Sequence, residues 1–130
     1  MNFSKISRNF IVLGAIGGFL SVAFGAFGAH AIKQWISTDL MAIYQTAVTY
    51  QMYHSLGLVF IGLIYQHYQN TLIKIAGWLM LTGMVIFSTS LYVLTLSGIR
   101  WLGAITPIGG SLLLLAWLLL IFGMLKKQHN

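Results

Sequence analysis

Cysteine is absent from this 130-residue chain, and acidic side chains are reduced to one, Asp39. Without cysteine there is no disulfide, no thiol nucleophile and no thiolate metal site, and the redox compartment cannot be read from the sequence. General acid–base chemistry usually needs a positioned acid and base, and Asp39 has no acidic partner. Charge of either sign is scarce, at 6% of residues against about 25% in soluble domains. Between Phe10 and Leu125 the only ionised side chains are Lys33, Asp39, Lys74 and Arg100.

What fills the space is hydrocarbon, at 58% of residues. The four interior charges divide the chain into apolar stretches over residues 10–31, 40–65, 72–96 and 101–125. A helix needs about 20 apolar residues to cross a bilayer, so each stretch is expected to span. The fold class is therefore all-α, an integral membrane four-helix bundle forming one transmembrane domain, with no room for a separate soluble one. The basic residues Lys5, Arg8, Lys126 and Lys127 flank the spans, where they report orientation and contact with anionic headgroups. Membrane lipids are the expected surroundings and no nucleic-acid partner is implied. Lys5 and Arg8 ahead of an apolar run ending in Ala29-His30-Ala31 also fit a cleaved secretory signal, but three further spans favour a first transmembrane helix.

Four spans put both termini on one side, together with Lys5, Arg8, Lys74, Lys126 and Lys127; the other side holds Lys33 and Arg100 with Asp39. That bias predicts both termini in the cytoplasm and a multi-pass protein of the inner (plasma) membrane. Ser37-Thr38-Asp39 is helix-start chemistry, so the second span should begin near Asp39. The short link at residues 97–100 makes the third and fourth helices antiparallel neighbours. Trp35, Trp101, Tyr65 and Tyr68 fall near span ends, as an aromatic belt requires.

In the first span Gly14, Gly18, Ser21, Gly25 and Gly28 recur on one helix face, which lets a second backbone approach closely. The second span crowds Tyr44, Gln45, Thr46, Thr49, Tyr50, Gln51, Tyr53, His54 and Ser55 into its first two-thirds. Polar groups are costly in hydrocarbon, so most of these should face protein, water or headgroups, with Thr46, Tyr50, His54 and Gly57 forming one stripe. His54 lies about 22 Å along the axis from Asp39, near mid-membrane, where each ring nitrogen needs a partner; structural hydrogen bonding is the favoured role, with proton transfer or ligand binding as the alternatives. His30 reads as interfacial, and His67 and His129 as exposed.

The third span carries Ser88-Thr89-Ser90 and Tyr92, and the fourth carries Thr106-Pro107 and Gly109-Gly110-Ser111. Pro107 is expected to free a carbonyl in the preceding turn that a neighbour must satisfy. Counting from the span midpoints places these residues, Gly25 to His30 and Tyr50 at one depth in the outer half. The expectation is a single small polar pocket there, lined by His30, Tyr50, Gln51, His54, Ser88, Ser90, Tyr92 and Thr106. A Ser88–His54 pair is geometrically conceivable, yet no nucleophile-elbow context accompanies it. With only His30 and His54 as interior ligands, no metal and no cofactor are expected, and enzymatic activity is not.

At these residues the chain resembles a known family. Gly25-Ala26-Phe27-Gly28-Ala29-His30, Tyr50-Gln51-Met52-Tyr53-His54, Phe87-Ser88-Thr89-Ser90-Leu91-Tyr92 and Thr106-Pro107-Ile108-Gly109-Gly110 are similar, in order and spacing, to the YgdD/YwdK-type small bacterial inner-membrane proteins, a domain-of-unknown-function family with mitochondrial relatives. Thr89 stands where glycine is expected and Thr49 where many members carry a charge. The resemblance implies a four-helix membrane protein and transfers no catalytic residue. Two roles remain open: binding of a small molecule or lipid in the polar pocket, or assembly through helix packing with a second copy or another membrane protein.

Overall fold

The computed structural model describes residues 2–126, and those residues contain helices and no strand. Helices α1 (Lys5–His30), α2 (Thr38–His67), α3 (Thr71–Ser97) and α4 (Thr106–Leu125) are all long and apolar enough to cross a membrane. His129 and Lys127, expected at an exposed end, lie outside the described residues. Each helix starts or stops where its sequence provides for the orphan backbone groups. The side chains of Ser4, Ser37 and Asn70 accept from the first turns of α1, α2 and α3. Gly98 ends α3 in the left-handed region at φ 73°, a conformation that a Cβ penalises.

The fourth helix begins later than its apolar stretch. Residues Arg100–Ala104 form a 3-10 turn, and α4 starts at Thr106 with Pro107 in its first turn. Pro107 therefore breaks no helical hydrogen bond: its missing N–H is one of those that have no intrahelical partner at a helix start. The helix-interior position expected for Pro107 is replaced by one in the first turn of α4.

Ser4 N–H donates to Gln66 Oε1 at 2.9 Å and Asn70 Nδ2 donates to the Gly123 carbonyl at 3.1 Å. The start of α1, the α2–α3 turn and the end of α4 thus gather at one end of the bundle. Helices α2 and α3 form its centre, with 44% of their most apolar stretches buried against 22% for α1 and α4. Helix α1 packs along α2, and α4 along α3. Because α1 and α4 do not pack along each other, the cross-section is an α2–α3 wall with one flanking helix at each end, and a groove opens on either side.

The interior is divided along its length. Phe10, Leu58, Ile61, Ile73, Ala76, Met80 and Ala116 form an apolar core toward the end that carries the α2–α3 turn, with Ser7 buried beside it and donating to the Gly62 carbonyl. Ser21, Tyr44, Gln51, His54, Ser88, Ser90 and Thr95 are buried hydrogen-bonding groups of the other half.

Small residues set the helix spacing. A Cβ on Gly14 would stand 2.7 Å from the Ser55 carbonyl oxygen, one on Gly28 would overlap the Tyr44 ring, and one on Gly109 would come within 2.5 Å of the Phe87 backbone nitrogen. The seam of α1 runs through Gly14, Gly17, Ser21 and Gly28; Gly18, expected in it, is only half-buried and gives its place to Gly17. The physical reason is the rotation of α1 about its axis, which sets Gly17 against Ser55 of α2 and Met84 of α3. The α2 stripe also differs from expectation. His54 and Gly57 are buried, but Gln45, Thr46, Thr49, Tyr50 and Tyr53 are exposed, since α2 contacts α1 and α3 on two adjoining faces and the remainder of its surface is left to lipid and headgroups.

This spacing is testable with two neighbouring glycines. Gly14→Ala pushes against backbone atoms that cannot step aside and is expected to cost about 1–3 kcal/mol. In Gly18→Ala the added methyl finds its nearest neighbour at 4.0 Å, so unfolding in mixed detergent micelles should shift by no more than about 0.5 kcal/mol.

Candidate functional site

The residues expected to form one pocket fall into five places. On the α1 side of the wall, Gln51 spends both ends of its amide. Its Nε2 donates to the Gly17 carbonyl at 2.9 Å, and its Oε1 accepts from the Tyr92 hydroxyl at 2.7 Å. One side chain of α2 thereby ties α1 to α3. The Tyr92 ring stands edge-on to Phe24 at 5.1 Å and tilted against Tyr44 at 5.3 Å. Tyr44 itself lies over Gly28, and its hydroxyl donates to the Phe24 carbonyl at 2.7 Å.

Ser88 lies within the wall, donating to the Ala47 carbonyl at 3.0 Å. Ser90 and Thr106 form a hydroxyl pair at 2.8 Å between α3 and the start of α4. His30 is the exposed last residue of α1 and joins none of these. The Ser88–His54 pairing considered from sequence is not formed, since each of the two side chains is turned to a backbone carbonyl of its own surroundings. Nor does Thr49 meet this set: it lines a shallow recess between α1 and α2 with Gly25 and Val48.

His54 occupies the other side of the wall. It is 7% exposed, and Nδ1 lies 2.7 Å from the Tyr50 carbonyl one turn back along α2. A carbonyl can only accept, so Nδ1 carries the proton and Nε2 is the uncommitted nitrogen. Among the described residues no fully enclosed side-chain nitrogen or oxygen lacks a partner. The unpartnered Nε2 therefore retains open surface, and the opening that His54 lines is a groove of about 360 Å³ between α2 and α4. Tyr50, Phe87 and Trp117 line the groove with it, and Gly110, Leu113 and Leu114 complete it. The Tyr50 ring stacks on Phe87 at 4.7 Å and lies 5.8 Å from the imidazole, and Trp117 meets His54 edge-on at 6.1 Å.

A second groove, about 280 Å³, opens between α1 and α3. Its walls are mainly Leu13, Ile16, Leu20, Leu81 and Val85, and the Gln51–Tyr92 hydrogen bond lies at its base. The two openings are back to back, separated by the α2–α3 wall. Phe87 faces one and Ser88 the other. The single pocket expected from sequence is thus replaced by two, because consecutive polar residues on one helix diverge by about 100° and the shared depth does not bring them to a shared face.

Sequence reasoning placed Tyr50, His54 and the Gly109-Gly110 pair at this level but missed Phe87, Leu113, Leu114 and Trp117 as lining residues. Trp117 carried a usable signal. It sits in the middle of α4, away from the interfacial belt where tryptophan ordinarily finds a partner for its N–H.

The amide lock makes a specific energetic claim. Tyr92→Phe strands Gln51 Oε1 and is expected to cost about 1 kcal/mol. Gln51→Leu should cost a similar amount, and the double variant less than the two together, as measured by a double-mutant cycle on unfolding in micelles.

Residues 24–110 match the family described as "Protein of unknown function (DUF423)", a stretch that takes in all four of the motifs quoted above. The UPF0382 membrane protein of Staphylococcus epidermidis (strain ATCC 12228) is 50% identical over 117 residues, covering 90% of this chain and 95% of that protein. The UPF0382 membrane protein YwdK of Bacillus subtilis (strain 168) is 41% identical over 118 residues, covering 90% and 96%. No solved structure matches. The chain is a member of the DUF423 (UPF0382) family of membrane proteins.

Proposed function

We propose that the protein is a membrane-embedded binding protein that holds a small lipid-soluble molecule in the α2–α4 groove, without catalysis. The observation that carries this reading is the unspent Nε2 of His54. In an interior where Gln51, Ser88, Ser90, Thr106, Tyr44 and Tyr92 are committed to partners, the one buried imidazole among the described residues offers a free nitrogen to a groove. Intramembrane polar groups are expensive, and a bound molecule would give this one its missing partner. No carboxylate stands by to move a proton, and the neighbouring hydroxyls serve helix packing, which favours binding over chemistry. The setting we assign is the inner membrane, with both chain ends cytoplasmic, on the strength of the lysine and arginine bias.

An assembly role is the alternative reading. It draws on the α1–α3 groove, whose mainly apolar walls and open side would accept hydrocarbon from a neighbouring subunit as readily as from lipid.

Gly110 separates the two readings. Its added Cβ would meet nothing closer than the Phe87 ring at 3.7 Å, so Gly110→Leu fills the groove from α4 without prising the helices apart at the α3–α4 seam. Native mass spectrometry from membranes is expected to show a small neutral lipid retained by the natural protein and lost from Gly110→Leu, with the subunit mass distribution unchanged. Loss of an oligomer with no change in bound lipid would transfer support to assembly.

A further inference from the structure

The geometry of His54 specifies the chemistry of its occupant, and we infer that the α2–α4 groove binds a membrane-soluble phenol, a hydroxylated aromatic ring on a hydrocarbon tail, whose hydroxyl donates to His54 Nε2. The inference rests on the binding role proposed above and adds the ligand class to it.

Three constraints lead there. First comes depth. His54 lies near the middle of the 30-residue α2, roughly 24 Å from its first residue at ~1.5 Å per residue. A charged headgroup at that level is heavily penalised, so an ordinary phospholipid cannot present its polar group to this nitrogen; the occupant's polar group must be neutral and small. Second is the direction of the hydrogen bond. Nδ1 donates to the Tyr50 carbonyl, so the uncharged ring presents a lone pair at Nε2. Its partner must bring a proton to share, which a ketone, an ester or an ether oxygen does not. A hydroxyl meets the requirement.

The third constraint separates aromatic from aliphatic alcohols. Lining the groove with His54 are Tyr50, Phe87 and Trp117, with the Tyr50–Phe87 stack at 4.7 Å and the indole edge-on to the imidazole at 6.1 Å. Rings of this kind favour a further ring, offset or edge-on, by more than area alone provides. A phenolic O–H is also a stronger donor than an aliphatic one, its pKa being near 10. Space is sufficient: a cavity of about 150 Å³ accommodates benzene, and the groove measures about 360 Å³. Leu113 forms its floor at 3% exposure and Leu114 its lipid-facing rim at 74%, so a hydrocarbon tail has an apolar way out into the bilayer.

The test uses the full chain in phospholipid nanodiscs with three probes: para-nonylphenol, its methyl ether para-nonylanisole, and dodecanol. Binding is read by nitrogen-15 NMR of histidine-labelled protein, which reports Nε2 directly, and by titration of the Trp117 indole signal. The phenol is expected to bind and to move the Nε2 resonance of His54. The ether and the aliphatic alcohol should each bind about tenfold or more weakly, and His54→Phe should abolish the preference for phenol over ether. This variant removes only a hydrogen bond within α2, and the comparison of phenol with ether in the natural protein needs no variant at all. If ether or dodecanol binds as tightly as the phenol while perturbing Trp117, the ligand class is wrong and the groove remains a binding site. If no probe perturbs His54 or Trp117 and Gly110→Leu also retains the lipid content of the natural protein, both the class and the binding role fall.

Discussion

Hydrocarbon offers no hydrogen bonds, and this one property of the solvent organises the molecule. Every hydroxyl or amide drawn into the bundle has to be met by another protein atom, and helical backbones have few unused acceptors to offer. The result is a recurring contact in which a side chain on one helix reaches a carbonyl on the next: Ser7 to Gly62, Ser21 to Val48, Gln51 to Gly17, Ser88 to Ala47. Such contacts need the backbones close, and closeness needs glycine. Gly14, Gly28 and Gly109 sit where a methyl group would already collide. Hydrogen bonding and small-residue packing therefore support each other, because a short side chain reaches a neighbouring carbonyl only where the backbones are close.

The same requirement explains how the interior is apportioned. Toward the chain ends, α1, α2 and α3 close on an apolar core in which Phe10 fills the space that Gly77 leaves and stands edge-on to Trp78 at 5.2 Å. At the other level the helices carry tyrosine, glutamine and serine, and shape there is dictated by who can reach whom. With α1 and α4 held apart by the α2–α3 wall, two grooves remain. The one beside α1 has its polar base closed off by the Gln51–Tyr92 bond, whereas the one beside α4 keeps the His54 nitrogen open.

Much of this was legible in the sequence because it follows from spacing along one dimension. The four apolar stretches, the helix start at Ser37-Thr38 and the common depth of Tyr50, Ser88, Tyr92 and Thr106 need only a count of residues and the rise of a helix. What was not legible depends on rotation about the helix axis. Gly17 and Gly18 are both glycine, so nothing in the composition says which faces α2; the rotation that sets Gly17 against Ser55 and Met84 decides it. Gln51 and His54 are three residues apart on α2, yet one turns to α1 and the other to α4. Pro107 was misjudged for a related reason. The apolar stretch begins before the helix does, and the 3-10 turn at Arg100–Ala104 moves the proline from the interior of a helix to its start.

The two faces of the wall are also energetically connected. A binding groove in a flexible helical pair would tend to close on itself, since apolar side chains gain contact by filling a void, and a ligand would then have to reopen it. Here the α2–α3 spacing is held from the opposite face by Ser88 on the Ala47 carbonyl and by Gln51 bridging Gly17 and Tyr92. Phe87, adjacent to Ser88 in the chain, is carried by that same fixed turn of α3 and stands in the groove with Tyr50 stacked on it. The ordering of these side chains is thus met during folding, which is the condition that the proposed holding of a small ligand by one hydrogen bond requires.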